Sequence, residues 1–275
     1  MDLSRSLLMG VLNVTPDSFS DGGRWADPTA AIARAEVMLA EGADILDIGG
    51  ESTRPGSDPV PAEEETRRIL PVIRAAVLLG AVVSVDTSKA EVARAALEAG
   101  AHAVNDVTAM ADPHMPEVVA ETGAGLVLMH MKGTPLTMQN APKYTDAVSE
   151  VTGFLKERRD YAENRGVARE RIALDPGIGF GKTVEHNLAL LNGIPALADL
   201  GCAVLVGASR KRLILHVTGE EDPLRRLPGS LALAVLARAG GAHIHRVHNV
   251  AASRQALEMA DAVLGYSPIE GTLRR

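Results

Sequence analysis

Five segments of the chain repeat one arrangement of residues: the end of a polar helix, a glycine, and then a short apolar run. They are EGADILDIGG at 41–50, EAGAHAVNDV at 98–107, ETGAGLVLMH at 121–130, DLGCAVLVGA at 199–208 and RAGGAHIHRV at 238–247. The glycine suits the left-handed position just after a helix, where a Cβ is unfavourable, and the apolar run has the length of a buried strand. The pattern therefore predicts a repeated unit of one strand and one helix.

Extending this pattern along the chain predicts eight strands. They lie near residues 7–13, 45–49, 82–86, 102–106, 126–130, 172–175, 203–207 and 243–248. Helical stretches separate them, with start signals at Asp27-Pro28, at Pro61 before an acidic turn, and at Ser88. Apolar strands that alternate with helices form a parallel sheet, and eight of them in 275 residues favour a closed (β/α)8 TIM barrel over an open doubly wound sheet.

Length and loop sequences together favour a single domain. The 275 residues permit two small domains or one large barrel. Because no linker, low-complexity tract or charge block divides the chain, we expect one domain over 1–275 with a core at about 7–265. A dinucleotide-binding fold would need a G-x-G-x-x-G turn after the first strand, where this chain has NVTPDSFSDGG. The glycines of GIGFG at 177–181 have neither that spacing nor the spacing of a P-loop.

Composition argues against several classes of partner. A net charge of −7 and 3% aromatic residues do not favour a nucleic-acid groove. The longest apolar stretch, Ala75 to Val83, is far shorter than the ~20 residues of a membrane helix. The N-terminal segment lacks a signal-peptide pattern, and a lone cysteine, Cys202, excludes an internal disulfide. We therefore expect a cytoplasmic protein that binds neither nucleic acid nor membrane.

Polar side chains concentrate where the predicted strands end, which is where (β/α)8 enzymes carry their catalytic groups. The positions are Asn13, Asp86, Asn105, Asp106, His130, Asp175, Ser209, Arg210, Lys211, Arg246 and His248. A chance distribution would scatter such residues over both ends of the barrel and over the helices. We interpret the concentration as an active site, and we interpret His130 within it as hydrogen-bonded scaffold.

Three of these residues supply hydrogen-bond acceptors. Carboxylate and amide oxygens at Asp86, Asn105 and Asp175, held in a dry cavity, match a planar ring that is rich in donors. This chemistry predicts a nitrogen heterocycle as ligand. The alternative for the two aspartates is an ion pair with a neighbouring lysine or arginine that holds the barrel together.

A second group of residues supplies positive charge. Lys211, Arg246 and His248, with Arg54 from an earlier loop, suit a phosphate or diphosphate near the last two strands. Asn13 and the acidic residues of the first loop suit a hard cation such as Mg²⁺, shared with substrate phosphates. The sequence has no H-E-x-x-H spacing, no G-x-S-x-G elbow and no recognisable Ser-His-Asp or Cys-His set. A histidine-bound transition metal and nucleophilic catalysis by the enzyme are therefore disfavoured.

Two long segments, 14–27 and 50–60, follow the first two predicted strands and are rich in Thr, Ser, Gly, Pro and acidic residues. Long loops over a barrel mouth are usually lids or binding loops. Phe19 is notable because the chain has only 3 phenylalanines. We interpret it as a ring that closes over an aromatic substrate, the alternative being that it packs beneath the loop.

Seven long motifs stand in order along the chain, one at nearly every predicted strand end. They are MGVLNVTPDSFSDGG at 9–23, GGESTRPGS at 49–57, SVDTSKAEVARAALEAGAHAVNDV at 84–107, LMHMKGTP at 128–135, LDPGIGFGKT at 174–183, VGASRKR at 206–212 and RVH at 246–248. Together they resemble the dihydropteroate synthase family of pterin-binding enzymes. The resemblance runs from Met9 to about Leu264, so it covers nearly the whole chain.

The resemblance implies an enzyme that condenses 6-hydroxymethyl-7,8-dihydropterin diphosphate with p-aminobenzoate, giving 7,8-dihydropteroate and pyrophosphate for folate synthesis. The residues it assigns to the pterin diphosphate are Thr53, Asp86, Asn105, Asp175, Lys211, Arg246 and His248, with Asn13 on Mg²⁺. Those it assigns to p-aminobenzoate are Phe19, Thr53, Arg54, Pro55 and Lys211.

The resemblance also implies a dissociative mechanism, in which pyrophosphate leaves first and the aniline nitrogen attacks a pterin methylene cation. Mg²⁺, Arg246 and His248 would stabilise the leaving group, while Asp86 and Asp175 would stabilise the cationic ring. The lid loops, including Asp21, would exclude water from the cation. Lys211 completes the set of residues to which the resemblance gives a part in catalysis.

Two positions depart from the family pattern. After R-V-H this chain has Asn249, where the family commonly has Asp. After Lys211 it has Arg212, where some members of the family have Ser. The departures leave open a paralogue that binds pterin without condensing it. A third hypothesis is a methyltransferase that uses methyltetrahydrofolate, against which the complete TPDSFSDGG and ESTRPG loops count. The resemblance further implies a homodimer formed through the last helices.

Overall fold

The computed structural model of the protein describes residues 2–15, 28–53 and 56–266. Within them eight parallel strands close into a barrel in chain order, and the last strand pairs with the first. The strands are β1 (Leu7–Asn13), β2 (Ile45–Gly49), β3 (Val82–Asp86), β4 (Ala103–Asp106), β5 (Gly125–Met129), β6 (Ile172–Asp175), β7 (Ala203–Val206) and β8 (Ile244–Val247). The predicted (β/α)8 barrel is thereby confirmed, and the open doubly wound sheet is excluded.

Helices connect each described strand to the next and surround the barrel. They are α1 (Pro28–Ala40), α2 (Ala62–Leu78), α3 (Ala90–Glu98), α4 (Met115–Thr122), α5 (Ala147–Glu163), α6 (Val184–Asn192), α7 (Ile194–Ala198), α8 (Arg212–Thr218), α9 (Leu227–Ala239) and α10 (Val250–Leu264). The predicted starts of α1 at Pro28 and of α2 after Pro61 agree with these bounds. The start predicted at Ser88 is wrong, because α3 begins at Ala90. The Ala90 N–H donates to Asp112 at 2.9 Å, so the first turn of α3 is capped by a residue of the loop after β4 and not by a neighbour in sequence.

Alternate residues of each strand face the inside of the barrel. An apolar cluster fills the interior and consists of Leu7, Met9, Ile45, Val127, Ala173, Leu205 and Ile244. A larger cluster, including Leu8, Leu46 and Val83, packs between the strands and the helices. Because side chains alternate along a strand, every second residue faces the interior. Toward the C-terminal ends of the strands these interior residues are polar. The barrel is therefore apolar at one end and lined with charged and amide groups at the other.

A buried polar contact joins the last two helices to the N-terminal segment. The Arg238 Nε lies 2.5 Å from the Asp261 Oδ1, and both side chains are almost fully buried. Asp261 also accepts the Ser6 backbone N–H at 2.7 Å and the Ser6 hydroxyl at 2.9 Å. These bonds place the start of the chain against α10.

The barrel from β1 to α10 runs from Leu7 to Leu264. That the whole of 1–275 forms one domain stays a prediction. No helix in the described ranges is long and apolar enough to cross a bilayer.

Candidate active site

The strand register brings polar interior residues of neighbouring strands to one level. Asn13 pairs with Gly49, Gly49 with Asp86, and Asp86 with Asn105, across the C-terminal ends of β1 to β4. Gly49 has no side chain, and a Cβ there would lie only 3.2 Å from the Asp86 Cβ. The structure thus places three of the sequence-predicted residues side by side at one mouth of the barrel.

Arg246 from β8 crosses the mouth and lies between two carboxylates. Its Nε is 2.6 Å from the Asp47 Oδ2, and its Nη2 is 2.7 Å from the Asp86 Oδ2. The Asn105 Nδ2 donates to the same Asp47 oxygen at 3.0 Å. The ion pair that the sequence left as an alternative for Asp86 therefore exists, with Arg246 as its partner.

Each of these two carboxylates nevertheless keeps one oxygen for a further contact. The Asp47 Oδ1 and the Asp86 Oδ1 are buried and have no hydrogen-bond partner among the described residues. Buried polar atoms in folded proteins are nearly always satisfied. Two such oxygens on the carboxylates that flank Arg246 therefore indicate a site that is complementary to a ligand with N–H or O–H donors.

Charge and burial at the mouth also shift the acidity of Asp86. The pKa of Asp86 is raised to about 7, chiefly by burial and further by the Asp47 carboxylate, while the Arg246 guanidinium opposes the increase. Burial disfavours the charged form of Arg246, but the carboxylates of Asp47 and Asp86 outweigh burial and raise the pKa of Arg246. Arg246 is thus permanently charged. Asp86 titrates near neutral pH, so a bound ligand can change its protonation state.

Asp175 and Lys211 form the opposite side of the mouth. The Asp175 Oδ1 accepts the Gly177 N–H at 2.7 Å. The pKa of Asp175 is raised to about 6 by burial, and the Gly177 hydrogen bond and the charge of Lys211 oppose this increase. The Lys211 Nζ lies 4.1 Å from the centre of the Phe180 ring, a cation–π contact that holds the ammonium above this wall.

His248 follows β8 and is oriented by the loop after β7. Its Nδ1 lies 3.0 Å from the Ser209 Oγ. The next residue, Asn249, is the N-cap of α10, and its Oδ1 accepts the Ala252 N–H at 3.1 Å. Asn and Asp are equally good N-caps, so the departure from the family pattern at Asn249 falls on a helix cap.

The loop after β2, which carries Thr53, is anchored at its base. The Glu51 Oε2 accepts the Val60 N–H at 3.0 Å and forms an ion pair with the Lys89 Nζ. The same ammonium lies 2.5 Å from the Glu65 Oε2, and Glu65 is fully buried. Both ends of this loop are therefore tied to the barrel. Four predicted residues, Phe19, Asp21, Arg54 and Pro55, lie outside the described residues.

Two residues at strand ends do not turn their side chains into the mouth. Asp106 follows the interior residue Asn105, so the alternation along β4 turns it outward. There it accepts the Thr108 N–H at 2.8 Å and the Met110 N–H at 2.6 Å. His130 directly follows β5, and its ring packs edge-on against Phe154 of α5 at a ring distance of 5.0 Å. Both residues are scaffold, as the sequence predicted for His130.

Asp47 is the site residue that the sequence analysis missed. It is completely buried and lies within the apolar run ILDIG of β2. The signal was present, because a carboxylate at an interior position of a buried strand requires a charged partner. That partner, Arg246, is far away along the chain.

The chain is similar in sequence to pterin-binding enzymes. The family model described as "Pterin binding enzyme" matches residues 9–248. The dihydropteroate synthase of Escherichia coli strain K12 is 46% identical over 265 residues, which is 96% of this chain and 94% of that protein. The dihydropteroate synthase of Synechocystis sp. is 47% identical over 261 residues, covering 94% and 90%.

Solved structures give the same result in three dimensions. The dihydropteroate synthase of Xanthomonas albilineans with 4-aminobenzoic acid superimposes with a TM-score of 0.91 at 49% identity, covering 96% of this chain and 95% of that one. A structure of the enzyme from that organism in complex with 7,8-dihydropteroate has a TM-score of 0.88 at 46% identity, again covering 96% and 95%. The similarity therefore extends over nearly the whole chain.

Proposed function

The chain belongs to the dihydropteroate synthase family of pterin-binding enzymes, and we propose that it condenses 6-hydroxymethyl-7,8-dihydropterin diphosphate with p-aminobenzoate. The products are 7,8-dihydropteroate and pyrophosphate. Two structures of the Xanthomonas albilineans enzyme, one with 4-aminobenzoic acid and the other with 7,8-dihydropteroate, support this substrate and product. The enzyme is thus a transferase of folate biosynthesis.

The observation that carries this proposal is the pair of buried carboxylate oxygens without partners, Asp47 Oδ1 and Asp86 Oδ1. An unsatisfied buried acceptor costs about 1–3 kcal/mol, and more when it is charged. A pterin presents adjacent ring and exocyclic N–H groups on one edge, so binding it removes this cost. Asp86, Asn105 and Asp175, with Asp47 as a further acceptor, would hold the ring. Lys211 would lie at its carbonyl edge and Arg246 on its face.

The diphosphate requires positive charge beside the ring. Arg246 and His248 would contact the anion, with the His248 ring oriented by Ser209 at 3.0 Å. Asn13 offers one amide oxygen at the same mouth, and the described residues contain no group of three His, Cys, Asp or Glu side chains that could hold a metal ion. One hard oxygen donor fits Mg²⁺ that is bound chiefly by substrate phosphates. Bound there, Mg²⁺ would neutralise charge on the diphosphate.

The p-aminobenzoate site would be built from the loops above the pterin. Thr53 lies on the anchored loop after β2, and Lys211 lies at the opposite wall. The family pattern adds Phe19, Arg54 and Pro55.

The proposed reaction needs no enzymic nucleophile. The bond between the pterin methylene carbon and the diphosphate oxygen breaks, and its electron pair leaves with pyrophosphate. The amino nitrogen of p-aminobenzoate then attacks the methylene cation and loses a proton. The charges of Asp86 and Asp175 would stabilise the cationic ring, while Arg246 and His248 would stabilise the leaving group, each donor being worth about 2.7–4 kcal/mol. Loop closure, with Asp21, would exclude water.

We also propose that the enzyme works in the cytoplasm as a homodimer formed through its last helices. The family resemblance supports this assembly, and so do large apolar side chains that are exposed on α9 and α10, namely Leu236, Met259 and Val263. Molar mass by light scattering would test it.

The experiment that tests the function is pyrophosphate release from the pterin diphosphate and Mg²⁺, with and without p-aminobenzoate, while dihydropteroate is followed. We expect both products only when p-aminobenzoate is present. A paralogue would bind pterin and release no pyrophosphate. Methyl transfer from methyltetrahydrofolate to a corrinoid would instead identify a methyltransferase.

A further inference from the structure

A buried lysine ammonium lies behind the wall of the proposed pterin site. Lys182 is 4% exposed. Its Nζ donates to the carbonyl oxygens of Gly177 at 2.9 Å, Phe180 at 2.9 Å and His130 at 3.1 Å. It also lies 3.0 Å from the His130 Nδ1. One ammonium therefore binds groups from two separate loops, the loop after β5 and the loop after β6.

The loop after β6 carries part of the proposed site directly. The Gly177 N–H donates to Asp175 at 2.7 Å, and the Phe180 ring supports the Lys211 ammonium at 4.1 Å. The same two residues, Gly177 and Phe180, give their carbonyl oxygens to Lys182. Lys182 is thus linked to Asp175 through Gly177 and to Lys211 through Phe180.

The two loops that Lys182 joins are in very close contact. A Cβ at Gly177 would collide with the carbonyl oxygen of His130, and a Cβ at Gly181 would collide with the backbone of Lys132. Three carbonyl oxygens converge at this contact and would repel one another without a donor between them. The Lys182 ammonium supplies three N–H donors at that point.

The chemistry around Lys182 also explains why a charged residue stands at a buried position. Burial lowers the pKa of Lys182 to about 7, and only the charge of Asp175 opposes this effect, since Lys211 and Lys132 also lower it. Burial and the Lys182 charge together lower the pKa of His130 to about 3, so His130 is neutral and adds no second positive charge beside the ammonium. A position that needed packing alone would hold an apolar side chain at lower cost.

We propose that Lys182 is a positioning residue for the pterin site: its ammonium draws the loops after β5 and β6 together and so fixes Asp175 and the Phe180 platform beneath Lys211. The inference rests on the proposed function, because the site it shapes is the pterin site. Lys182 does not touch the ligand and acts only through these neighbours.

The test compares two variants that each remove one buried cation. Lys182→Met removes the ammonium behind the site. Arg159→Met removes a buried guanidinium that donates to the Leu200 carbonyl at 2.7 Å, before β7 and far from the mouth. Affinity for 6-hydroxymethylpterin is measured by calorimetry at about pH 7, where Lys182 and Asp86 both remain partly charged, and thermal unfolding is followed by circular dichroism. We expect about tenfold weaker pterin binding for Lys182→Met and unchanged binding for Arg159→Met.

A pH profile separates positioning from general destabilisation. The Lys182 charge lowers the pKa of Asp175, as do Lys211 and Arg246. The acid limb of kcat/KM for the pterin diphosphate contains the ionisations of Asp86, with a pKa of about 7, and of Asp175, with a pKa of about 6. Removal of the Lys182 charge raises the pKa of Asp175, so the lower of these two steps should move to higher pH in Lys182→Met. Arg159→Met should keep the wild-type profile. Should Lys182→Met not fold, Lys182→Gln, which keeps two N–H donors without the charge, carries the same comparison.

Wild-type pterin affinity in Lys182→Met or Lys182→Gln overturns the inference. An equal loss of affinity in Arg159→Met overturns it too, because the effect would then follow from stability. The affinity measurement does not depend on condensation: a wild-type protein that binds pterin and forms no dihydropteroate refutes the proposed reaction while the comparison of variants still decides the role of Lys182.

Discussion

Replacement of Asp47 by asparagine would remove one of the two carboxylates that hold Arg246 across the barrel. Arg246 would keep its bond to Asp86 at 2.7 Å and lose the charged partner that lies 2.6 Å from its Nε. The Asn105 amide could still donate to the asparagine oxygen. The perturbation is therefore confined to the position and charge balance of Arg246.

The size of the effect follows from this lost contact. A hydrogen bond to a charged group contributes about 1.5–3 kcal/mol, and about 1.4 kcal/mol corresponds to a factor of ten in rate. If Arg246 binds the pterin and its diphosphate as proposed, we expect kcat/KM for the pterin diphosphate to fall about 10- to 150-fold. The remaining Asp86 partner keeps the guanidinium from being buried alone, so the loss of stability should stay below the ~3–5 kcal/mol of a broken buried pair.

The pH dependence gives a second, independent signature. Burial raises the pKa of Asp86 to about 7, and the Asp47 charge contributes to that increase. Below its pKa Asp86 is protonated and accepts N–H groups poorly, so kcat/KM falls as the pH drops through this value. Loss of the Asp47 charge lowers the pKa of Asp86, and the acid limb of the Asp47→Asn profile should therefore move to lower pH.

Steady-state kinetics across the neutral range would test both effects, with Asp44→Asn as the control. Asp44 is also paired with arginines, at 2.6 Å from Arg5, and accepts the Leu8 N–H at 2.8 Å, but it lies at the N-terminal end of the barrel. The control should keep the wild-type profile. A kcat/KM of Asp47→Asn within twofold of wild type, or an acid limb that moves to higher pH, would refute the reasoning.

Substitutions at three further residues test other parts of the structure. Asp175→Asn should weaken pterin binding and lower kcat/KM by about tenfold or more with an unchanged circular dichroism spectrum, and wild-type kinetics would sink its assignment. Asp261→Asn leaves the buried guanidinium of Arg238 without its carboxylate, so urea unfolding should report a loss of about 3–5 kcal/mol; a loss below about 1 kcal/mol would contradict this. Asn249→Asp keeps the N-cap of α10 and should leave kcat/KM within about twofold, whereas Asn249→Ala should lower the unfolding free energy by about 1 kcal/mol. A large gain in activity for Asn249→Asp would show that the residue acts on the anion.

The barrel was predictable because its determinants are local. Five of the strands are short apolar runs after a helix-ending glycine, and this repeat identifies the unit without any long-range information. The start of α3 was missed for the opposite reason. Asp112, which caps Ala90, stands in a different loop, and no signal near Ser88 announces it.

The site residues were predictable where a position at the end of a strand also means that the side chain faces the inside of the barrel. Asp86, Asn105, Asp175 and Arg246 stand at strand ends and face inward. Asp106 also stands at a strand end, but its direction depends on strand alternation, which a count of polar residues ignores.

Asp47 and Lys182 were missed because their partners are remote. Asp47 is defined by Arg246 and Asn105, and Lys182 by carbonyl groups of two loops. Such contacts emerge only when the chain is closed into the barrel.

The close contact between the loops after β5 and β6 also limits how the chain can change over generations. Every coding change at Gly177 or Gly181 introduces a Cβ where backbone atoms already stand, and both residues have a positive φ, of 66° and 65°. A mutation there would displace the wall beside Asp175. It would therefore weaken catalysis as well as the binding of an inhibitor that competes with the pterin. An inhibitor whose affinity comes from this wall would therefore leave the organism few routes of escape, in contrast to one that relies on side chains which can be exchanged without disturbing the backbone.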